Sequence, residues 1–412
     1  MTEQLRINSQ RLWDSIMEMA KIGATANGGS HRLTLSDEDK QGRDLFAEWC
    51  TAAGCTITVD RLGNMFARRR GKDNSRPPVA MGSHLDTQPY GGKFDGVFGV
   101  LAGLEVVRTL NEHQIETDAP LEIVNWTNEE GARFAPSMLA SGVFAGHFDL
   151  EFALSRIATD GAEFAAELER IGYAGDVICG NHPFTAFIEC HIEQGPILEQ
   201  QGKSVGVVTH AQGFRWYDIS LSGQAAHTGS TPMVGRRNAL LGAAHIIHAV
   251  DEIAQEYAPD ARATVGSQFQ VTPGSRNIIP GKVDFTVDFR HPVAETIAAM
   301  DSALREVCQQ VAYDIGLDLS LEQISYTPPT PFDKKCVAAV QQACDLTGVS
   351  HQQILSGAGH DACYIAHVSP TSMIFVPCKD GISHNEAESV KQEDLEAGCN
   401  VLLHAVLELA QA

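Results

Sequence analysis

The first half of the chain alternates short apolar runs with segments of helical periodicity. "PPVAMGS", "LEIVNWT" and "TAFIECHI" have the length of buried strands, whereas "VFGVLAGLEVVRTL" and a stretch near residues 153–171 have the spacing of helices. Strands that alternate with helices typically build an α/β sheet that is covered on both faces. We therefore predict an α/β domain in this part of the chain.

The pattern changes at about residue 214. "RWYDISLSG" and "KVDFTVDFRH" alternate apolar and polar positions as half-exposed strands do, and each is followed by a long amphipathic helix. After "SYTPPTP" the α/β pattern returns, with the helix "DKKCVAAVQQACDLTG", the strand "TSMIFVPC" and a closing helix. This order predicts a discontinuous domain over residues 1–213 and 330–412, with an α+β domain over residues 214–329 inserted in it.

Length and composition narrow the class of protein. The chain has 412 residues, which favours two domains, and neither a signal peptide nor a run of about 18 apolar residues is visible, so we expect a cytoplasmic protein without membrane contact. A net charge of -22 opposes binding to nucleic acid and anionic membranes and favours a small-molecule partner. The ten cysteines occur without a CxxC pair, which predicts reduced core thiols and argues against a thiolate metal site.

Candidate chemistry begins with "GSHLDTQPYGGKFDG", which follows a predicted strand. His84 and Asp86 lie at the carboxyl end of that strand, where open α/β sheets bind ligands, and Asp95 follows a Gly-Gly turn. A histidine and an aspartate suit a metal such as zinc, and we expect the carboxylate of Asp86 to fix the tautomer of His84. Taken alone, such a stretch is more often only a turn.

Three further predicted strand ends carry the same residue types. "NWTNEEGARF" contains the adjacent Glu129 and Glu130, whose side chains diverge, so that one can bind a metal while the other faces a water. "ECHIEQG" supplies His191, and "GISHNEAE" supplies His384. Histidines combined with carboxylates fit a paired metal centre about 3.5 to 4 Å wide better than a structural site.

These segments, together with "GQAAHTGSTPM", "GSRNIIPGKVDFTVDFRH" and "SGAGHDA", resemble the metal-dependent amidohydrolase branch of the M20 peptidase family, in the same order along the chain. That branch contains N-carbamoyl-L-amino acid hydrolases, β-ureidopropionases and allantoate amidohydrolases. The resemblance implies an α/β fold with a dinuclear-metal aminopeptidase-like catalytic domain and an inserted α+β lid and dimerisation domain.

The resemblance also implies a role for each candidate residue. It assigns one divalent cation to His84, Asp95 and His191, and a second cation to Asp95, Glu130 and His384. Zinc is the first choice of metal, and manganese, cobalt and nickel are alternatives. Glu129 is then the general base that takes a proton from water and later returns it to the leaving nitrogen.

The substrate residues implied by the resemblance lie mostly outside the metal segments. Asn277 and Arg290 would hold a substrate carboxylate, while His227, supplied by the partner subunit of a homodimer, would stabilise the developing oxyanion. The pocket would be completed by Gln194 and the backbone of Gly357 and Gly359. His360 and Asp361 in the same loop are equally consistent with a structural role.

The expected reaction is hydrolysis of the carbamoyl C–N bond of N-carbamoyl-L-amino acids or N-carbamoyl-β-alanine, with release of the amino acid, CO2 and ammonia. "TQPYGGKFDG" is closer to carbamoylases and β-ureidopropionases than to allantoate enzymes, whose turn reads nearer to "NGGNLDG", so allantoate hydrolysis is the alternative. A peptidase is less favoured because Arg290 would obstruct longer substrates. A non-catalytic binding protein would be expected to lack the base or a ligand.

Overall fold

The computed structural model describes residues 4–158, 160–180 and 182–411. Its helices are α1 (Ser9–Met19), α2 (Asp37–Ala52), α3 (Val97–Glu112), α4 (Leu139–Phe144), α5 (Leu150–Leu154), α6 (Phe164–Arg170), α7 (Ile197–Gln200), α8 (Ala239–Glu256), α9 (Ala294–Ile315), α10 (Lys334–Thr347), α11 (Asp361–Ile365) and α12 (Gln392–Gln411). Its strands are β1 (Thr56–Val59), β2 (Met65–Arg69), β3 (Val79–His84), β4 (Leu121–Trp126), β5 (Ala186–Ile192), β6 (Val205–Ala211), β7 (Gly213–Ser222), β8 (Ala226–His227), β9 (Arg262–Thr272), β10 (Ile278–Ile279), β11 (Lys282–His291), β12 (Asp318–Thr327), β13 (Thr330–Pro331), β14 (His351–Ser356) and β15 (Thr371–Val376).

The chain divides into two compact units. The first contains the described residues up to Thr209 together with those from Pro331 onward, and the second spans His210–Thr330. Within the described residues, no helix is long and apolar enough to cross a membrane. The ten cysteines are free thiols, and all except Cys179 are buried, as the scattered spacing predicted.

The first unit is built on a mixed sheet with the strand order β1-β2-β4-β3-β5-β15-β6, and β14 also pairs with β6. The neighbours β4, β3, β5 and β15 are parallel, whereas β2 and β6 join them in antiparallel pairing. Every residue of these four parallel strands is buried, which explains their continuous apolar pattern. Their carboxyl ends therefore lie side by side at one edge of the sheet.

The core of the first unit comes from the sheet together with α1, α2, α3, α10 and α12. A second apolar cluster lies under α4, α5 and α6. The single helix expected near residues 153–171 is wrong: α5 ends at Leu154, and α6 begins only at Phe164. Between them Gly161 adopts a φ of 85°, and the N–H of Ala162 binds the carboxylate of Asp160, a turn that interrupts helical hydrogen bonding.

The second unit has a four-stranded antiparallel sheet in the order β12-β7-β11-β9. One face of this sheet packs on α8 and α9 through a core that includes Tyr217, Phe289 and Met300. Strand β11 alternates buried and more exposed side chains along its length, as its sequence pattern predicted. The short strands β8 and β10 pair separately from this sheet.

Candidate active site

The residues predicted as metal ligands converge at the carboxyl edge of the four parallel strands. His84 is the last residue of β3, and His191 lies at the end of β5. Glu129 and Glu130 follow β4, and His384 follows β15. Because β4, β3, β5 and β15 are adjacent and parallel, residues that are distant in sequence meet at one place.

Asp95 occupies the centre of this group. Its Oδ1 atom lies 3.0 Å from Nε2 of His191 and 3.5 Å from Nε2 of His84. Its Oδ2 atom lies 3.3 Å from Nε2 of His384, and the residue is 4% exposed. One buried carboxylate thus presents one oxygen to two imidazoles and the other oxygen to a third.

Two ligand groups share this aspartate. The donor atoms of His84, Asp95 and His191 lie within 4.8 Å of one another, as do those of Asp95, Glu130 and His384. In the second group, Oε2 of Glu130 is 3.4 Å from Nε2 of His384. A third group, Glu189, His191 and His360, meets the same distance limit but uses a histidine of the first.

Backbone carbonyls set the tautomers of two histidines. Nδ1 of His84 lies 2.9 Å from the carbonyl oxygen of Asp86, and Nδ1 of His191 lies 2.9 Å from that of Ile192. A carbonyl oxygen only accepts, so each Nδ1 carries a proton and each neutral ring keeps its lone pair on Nε2. Both Nε2 atoms face Asp95, which is the orientation that a metal ligand requires.

The carboxylate of Asp86 was expected to bind Nδ1 of His84, and this prediction is wrong. Its carboxylate lies 3.9 Å from Nδ1 of His84, too far for a hydrogen bond, and its backbone carbonyl takes that place. The carboxylate instead accepts the hydroxyl of Thr34 at 2.6 Å and the backbone N–H groups of Glu129 and Glu130 at 3.3 and 3.4 Å. Asp86 therefore joins the end of β3 to the loop after β4.

The pKa of Asp95 is shifted in the opposite direction from those of Glu129 and Glu130. Burial alone would raise the pKa of Asp95, but the surrounding imidazoles outweigh it and hold that pKa well below its ordinary value. Burial raises the pKa of Glu130 to about 7 and that of Glu129 well above its usual range, although the imidazole of His84 opposes the latter. The hydrogen bond to Asp95 raises the pKa of His384 to about 9.

The donor set fits divalent transition metals. In the described part of the chain, the cationic groups paired with Asp95 and Glu130 are histidines. Buried carboxylates need compensating positive charge, and imidazole nitrogens with carboxylate oxygens are ligands that zinc and its neighbours accept. His84, Asp95 and His191 can hold one such cation, and Asp95, Glu130 and His384 can hold another.

Two glycines account for much of the unusual composition of residues 82–96. Gly96 has a φ of 66°, and a Cβ atom there would lie 2.4 Å from the ring of His84. A Cβ atom on Gly92 would lie 1.9 Å from the carboxylate carbon of Glu388. Real Cβ contacts are essentially never this short. Glycine at both positions therefore leaves the space that the side chains of His84 and Glu388 occupy.

Gln194, predicted to bind substrate, lies against the metal-type ligands. It has a φ of 56°, and its Nε2 atom donates to Oδ2 of Asp95 at 2.8 Å and lies 3.3 Å from Nε2 of His384. Sequence reasoning missed Gln88, whose backbone and side-chain nitrogens both bind Glu130. It also missed Ser383, which precedes the predicted ligand His384, and Glu388, which follows it by four residues. The hydroxyl of Ser383 lies within hydrogen-bond distance of both Asp95 and Glu388.

The loop with Gly357 and Gly359 belongs to the first unit. A Cβ atom on Gly359 would lie 2.8 Å from the end of the Met138 side chain, whereas Gly357 has open space at that position. His360 is buried with its ring centroid 4.4 Å from that of His191, and its Nε2 atom has no hydrogen-bond partner among the described residues. Asp361 accepts the hydroxyl of Ser141. His360 thus packs on a candidate ligand.

The second unit brings His227 and Asn277 together. His227 in β8 pairs with Ile278 in β10, and the carbonyl of Asn277 accepts the N–H of Thr228 at 2.9 Å. Nδ1 of His227 accepts the N–H groups of Gly229 and Ser230 at 3.1 and 3.2 Å. A neutral His227 therefore carries its proton on Nε2, where it can be donated.

Arg290 lies on β11, one of the two inner strands of the four-stranded sheet. Its Nε and Nη2 atoms donate to Oδ2 of Asp288 at 3.0 and 2.8 Å, and its guanidinium lies 5.7 Å from the ring centroid of Phe214. Sequence reasoning missed this ion pair. A signal was available in "DFRH", because residues two apart on a strand lie on the same face.

Comparisons with known proteins agree with this arrangement. The sequence model of the family described as peptidase family M20/M25/M40 matches residues 80–408. An N-carbamoyl-L-amino-acid amidohydrolase of Rhizobium meliloti is 51% identical over 409 residues, covering 99% of this chain and 98% of that protein. An allantoate amidohydrolase of Bacillus subtilis (strain 168) is 31% identical over 399 residues, covering 96% and 97%.

A crystal structure of an amidase of the hydantoinase/carbamoylase family from Burkholderia multivorans has a TM-score of 0.96 to this chain. The two are 58% identical, and the match covers 99% of each chain. The predicted fold class and the predicted resemblance are both confirmed.

Proposed function

The chain belongs to peptidase family M20/M25/M40, and from that premise we propose that it is a metal-dependent amidohydrolase of N-carbamoyl-L-amino acids or N-carbamoyl-β-alanine. The reaction cleaves the carbamoyl C–N bond by addition of water and releases the amino acid, CO2 and ammonia. The identity of 51% over nearly the whole chain to an N-carbamoyl-L-amino-acid amidohydrolase supports this substrate class.

The observation that carries the proposal is the position of Asp95, which faces His84 and His191 with one oxygen and His384 with the other. We assign one divalent cation to His84, Asp95 and His191 and a second to Asp95, Glu130 and His384, with zinc as the first choice. When bound, such cations lower the pKa of a water molecule toward about 7 and polarise a carbonyl group.

Glu129 is the general base. Its Oε2 atom lies 3.6 Å from Nε2 of His84, and its backbone is held by Asp86. Burial raises the pKa of Glu129 well above its ordinary value. A carboxylate at this position can take a proton from water. Once it carries this proton, the carboxyl group of Glu129 can act as a general acid and return the proton to the departing nitrogen.

The second unit supplies substrate recognition and acts as the lid and dimerisation domain. Arg290 and Asn277 bind the substrate carboxylate, so the substrate competes with Asp288 for the guanidinium. His227 enters the active site of the partner subunit in a homodimer, where its Nε2–H donates to the developing oxyanion. Gln194 and the backbone of Gly357 and Gly359 complete the pocket.

Allantoate hydrolysis is the second candidate, because an allantoate amidohydrolase is 31% identical to this chain over most of its length. Allantoate also presents a carboxylate and ureido C–N bonds, so the same groups could serve it. The higher identity of the carbamoyl-amino-acid relative, and the turn "TQPYGGKFDG", rank it below N-carbamoyl amino acids.

The test is ammonia release from N-carbamoyl-β-alanine, a series of N-carbamoyl-L-amino acids, allantoate and dipeptides, the last followed by amine release. We expect the largest kcat/KM on one of the N-carbamoyl compounds and no measurable cleavage of dipeptides. A larger kcat/KM on allantoate would replace the first candidate by the second. Hydrolysis of dipeptides alone by the metal-loaded enzyme would refute both.

A further inference from the structure

Glu388 is a buried acid that the proposed reaction does not use. It is 2% exposed and follows His384 on the loop between β15 and α12. Its Oε1 atom accepts the backbone N–H groups of Phe94 and Asp95 at 2.9 and 3.2 Å. The carboxylate of Glu388 therefore holds the turn that carries Asp95 by its main chain.

A second path reaches the side chain of Asp95. The hydroxyl oxygen of Ser383 lies 2.9 Å from Oε2 of Glu388 and 2.9 Å from Oδ2 of Asp95. The hydroxyl has one proton, so it donates to one of the two carboxylates at a time. If Oδ2 of Asp95 binds a cation, the hydroxyl of Ser383 can donate to Oε2 of Glu388 instead. Each of the two carboxylate oxygens then still has a partner.

The space for this carboxylate exists because residue 92 is glycine. A Cβ atom on Gly92 would lie 1.9 Å from the carboxylate carbon of Glu388 and 2.0 and 2.2 Å from its oxygens. An alanine at residue 92 would have to displace this carboxylate from the two backbone N–H groups that it accepts. Gly92 and Glu388 are thus complementary, although they lie far apart in the sequence.

We propose that Glu388 is a positioning residue that orients Asp95 for both candidate cations. This inference rests on the proposed function, because it takes Asp95 as the shared ligand. Each cation uses a different oxygen of Asp95, so a small rotation of that carboxylate misplaces a ligand in both groups. Glu388 also ties the segment that carries His384 to the turn that carries Asp95.

The experiment measures zinc binding by the full-length apo-protein in competition with a chromophoric chelator, with stoichiometry from elemental analysis. Glu388→Ala should weaken zinc binding by about 10- to 100-fold, the usual scale for groups that hold a ligand. Glu388→Gln should stay within about threefold of the unmodified protein, because its amide oxygen can accept the same two backbone N–H groups. Gly92→Ala should resemble Glu388→Ala, because it displaces the carboxylate without removing it.

The matched control is Asp333→Ala. Asp333 also binds two backbone N–H groups in the first unit, those of Lys335 and Cys336, at the start of α10. This variant should lower Tm but leave zinc affinity unchanged, which separates positioning of Asp95 from general loss of stability. Ser383→Ala removes only the side-chain path and should weaken zinc binding by a smaller, measurable factor.

The outcomes separate two failures. If the unmodified protein binds neither zinc nor any other divalent transition metal, the proposed function fails. If it binds two ions and folded Glu388→Ala binds them equally tightly, Glu388 does not position Asp95. Should Glu388→Ala fail to fold, unchanged zinc affinity in both Ser383→Ala and Gly92→Ala would overturn the inference by itself.

Discussion

Oε2 of Glu129 lies 3.6 Å from Nε2 of His84, the nitrogen whose lone pair is kept free by the hydrogen bond at Nδ1. The next residue, Glu130, faces His384 instead. Both glutamates are positioned by backbone N–H groups bound to Asp86. Adjacent carboxylates can therefore perform different tasks, one as base and the other as ligand.

The first prediction concerns this division. Glu129→Gln should lower kcat by about 100-fold or more, because the amide cannot accept the proton, while zinc content and KM change little. Glu130→Gln should instead lower the zinc content, since it removes an anionic ligand. Steady-state kinetics and elemental analysis of both variants are the measurement. Equal loss of zinc in the two variants would contradict the assigned roles.

Removal of metal is expected to abolish activity reversibly. Dialysis against a chelator should give an apo-protein with a lower Tm, because a ligand at 100 times its Kd stabilises the folded state by about 2.7 kcal/mol. Addition of zinc, manganese, cobalt or nickel should restore ammonia release to different extents. Undiminished turnover by protein with no detectable metal would refute metal dependence.

Arg290→Ala should act mainly on substrates that have a carboxylate. Loss of a charge-assisted contact costs on the order of 2 kcal/mol, which lowers kcat/KM by about 30-fold. The comparison is N-carbamoyl-β-alanine against its amide, which has no carboxylate. Arg262→Ala is the control, since Arg262 lies opposite Arg290 on β9 and is exposed. An equal loss on both compounds would show that Arg290 does not bind the carboxylate.

Subunit mixing tests the shared site. His227→Ala and Glu129→Gln are each expected to be nearly inactive as pure preparations. If His227 serves the partner subunit, a mixed dimer contains one active site with both residues intact, so mixing should restore part of the activity. Subunit exchange is checked with differently tagged chains. Exchange without any recovery would argue that His227 acts within its own subunit or not at all.

Gly96→Ala should disturb His84 directly. Its Cβ atom would lie 2.4 Å from the ring of His84, so zinc affinity and Tm should both fall. Gly28→Ala is the matched control because Gly28 also has a left-handed φ, of 88°, but open space around its Cβ position. Gly28→Ala should lower Tm alone. Normal zinc binding by Gly96→Ala would mean that His84 does not need its observed position.

Local pattern in the sequence determined the strands and long helices and the places where chemistry occurs. A buried strand reads as an apolar run and an amphipathic helix as a period of 3.6, so β3, β4, β5 and β15 could be predicted with their polar ends. The interruption between α5 and α6 was missed because a short turn changes few residues of a helical pattern.

Only the tertiary structure decided which atoms meet. The order β4-β3-β5-β15 brings four separate strand ends together, and strand pairing between distant segments leaves no local periodicity to read. The backbone carbonyl of Asp86, and not its carboxylate, binds Nδ1 of His84. The backbone angles after β3 decide which of these oxygens lies near the imidazole, and a local sequence pattern does not specify them. Glu388 binds the backbone N–H of Asp95 in space that is free because residue 92 is glycine. Hydrogen bonds depend on differences in distance of a few tenths of an ångström, which the packing of distant segments sets.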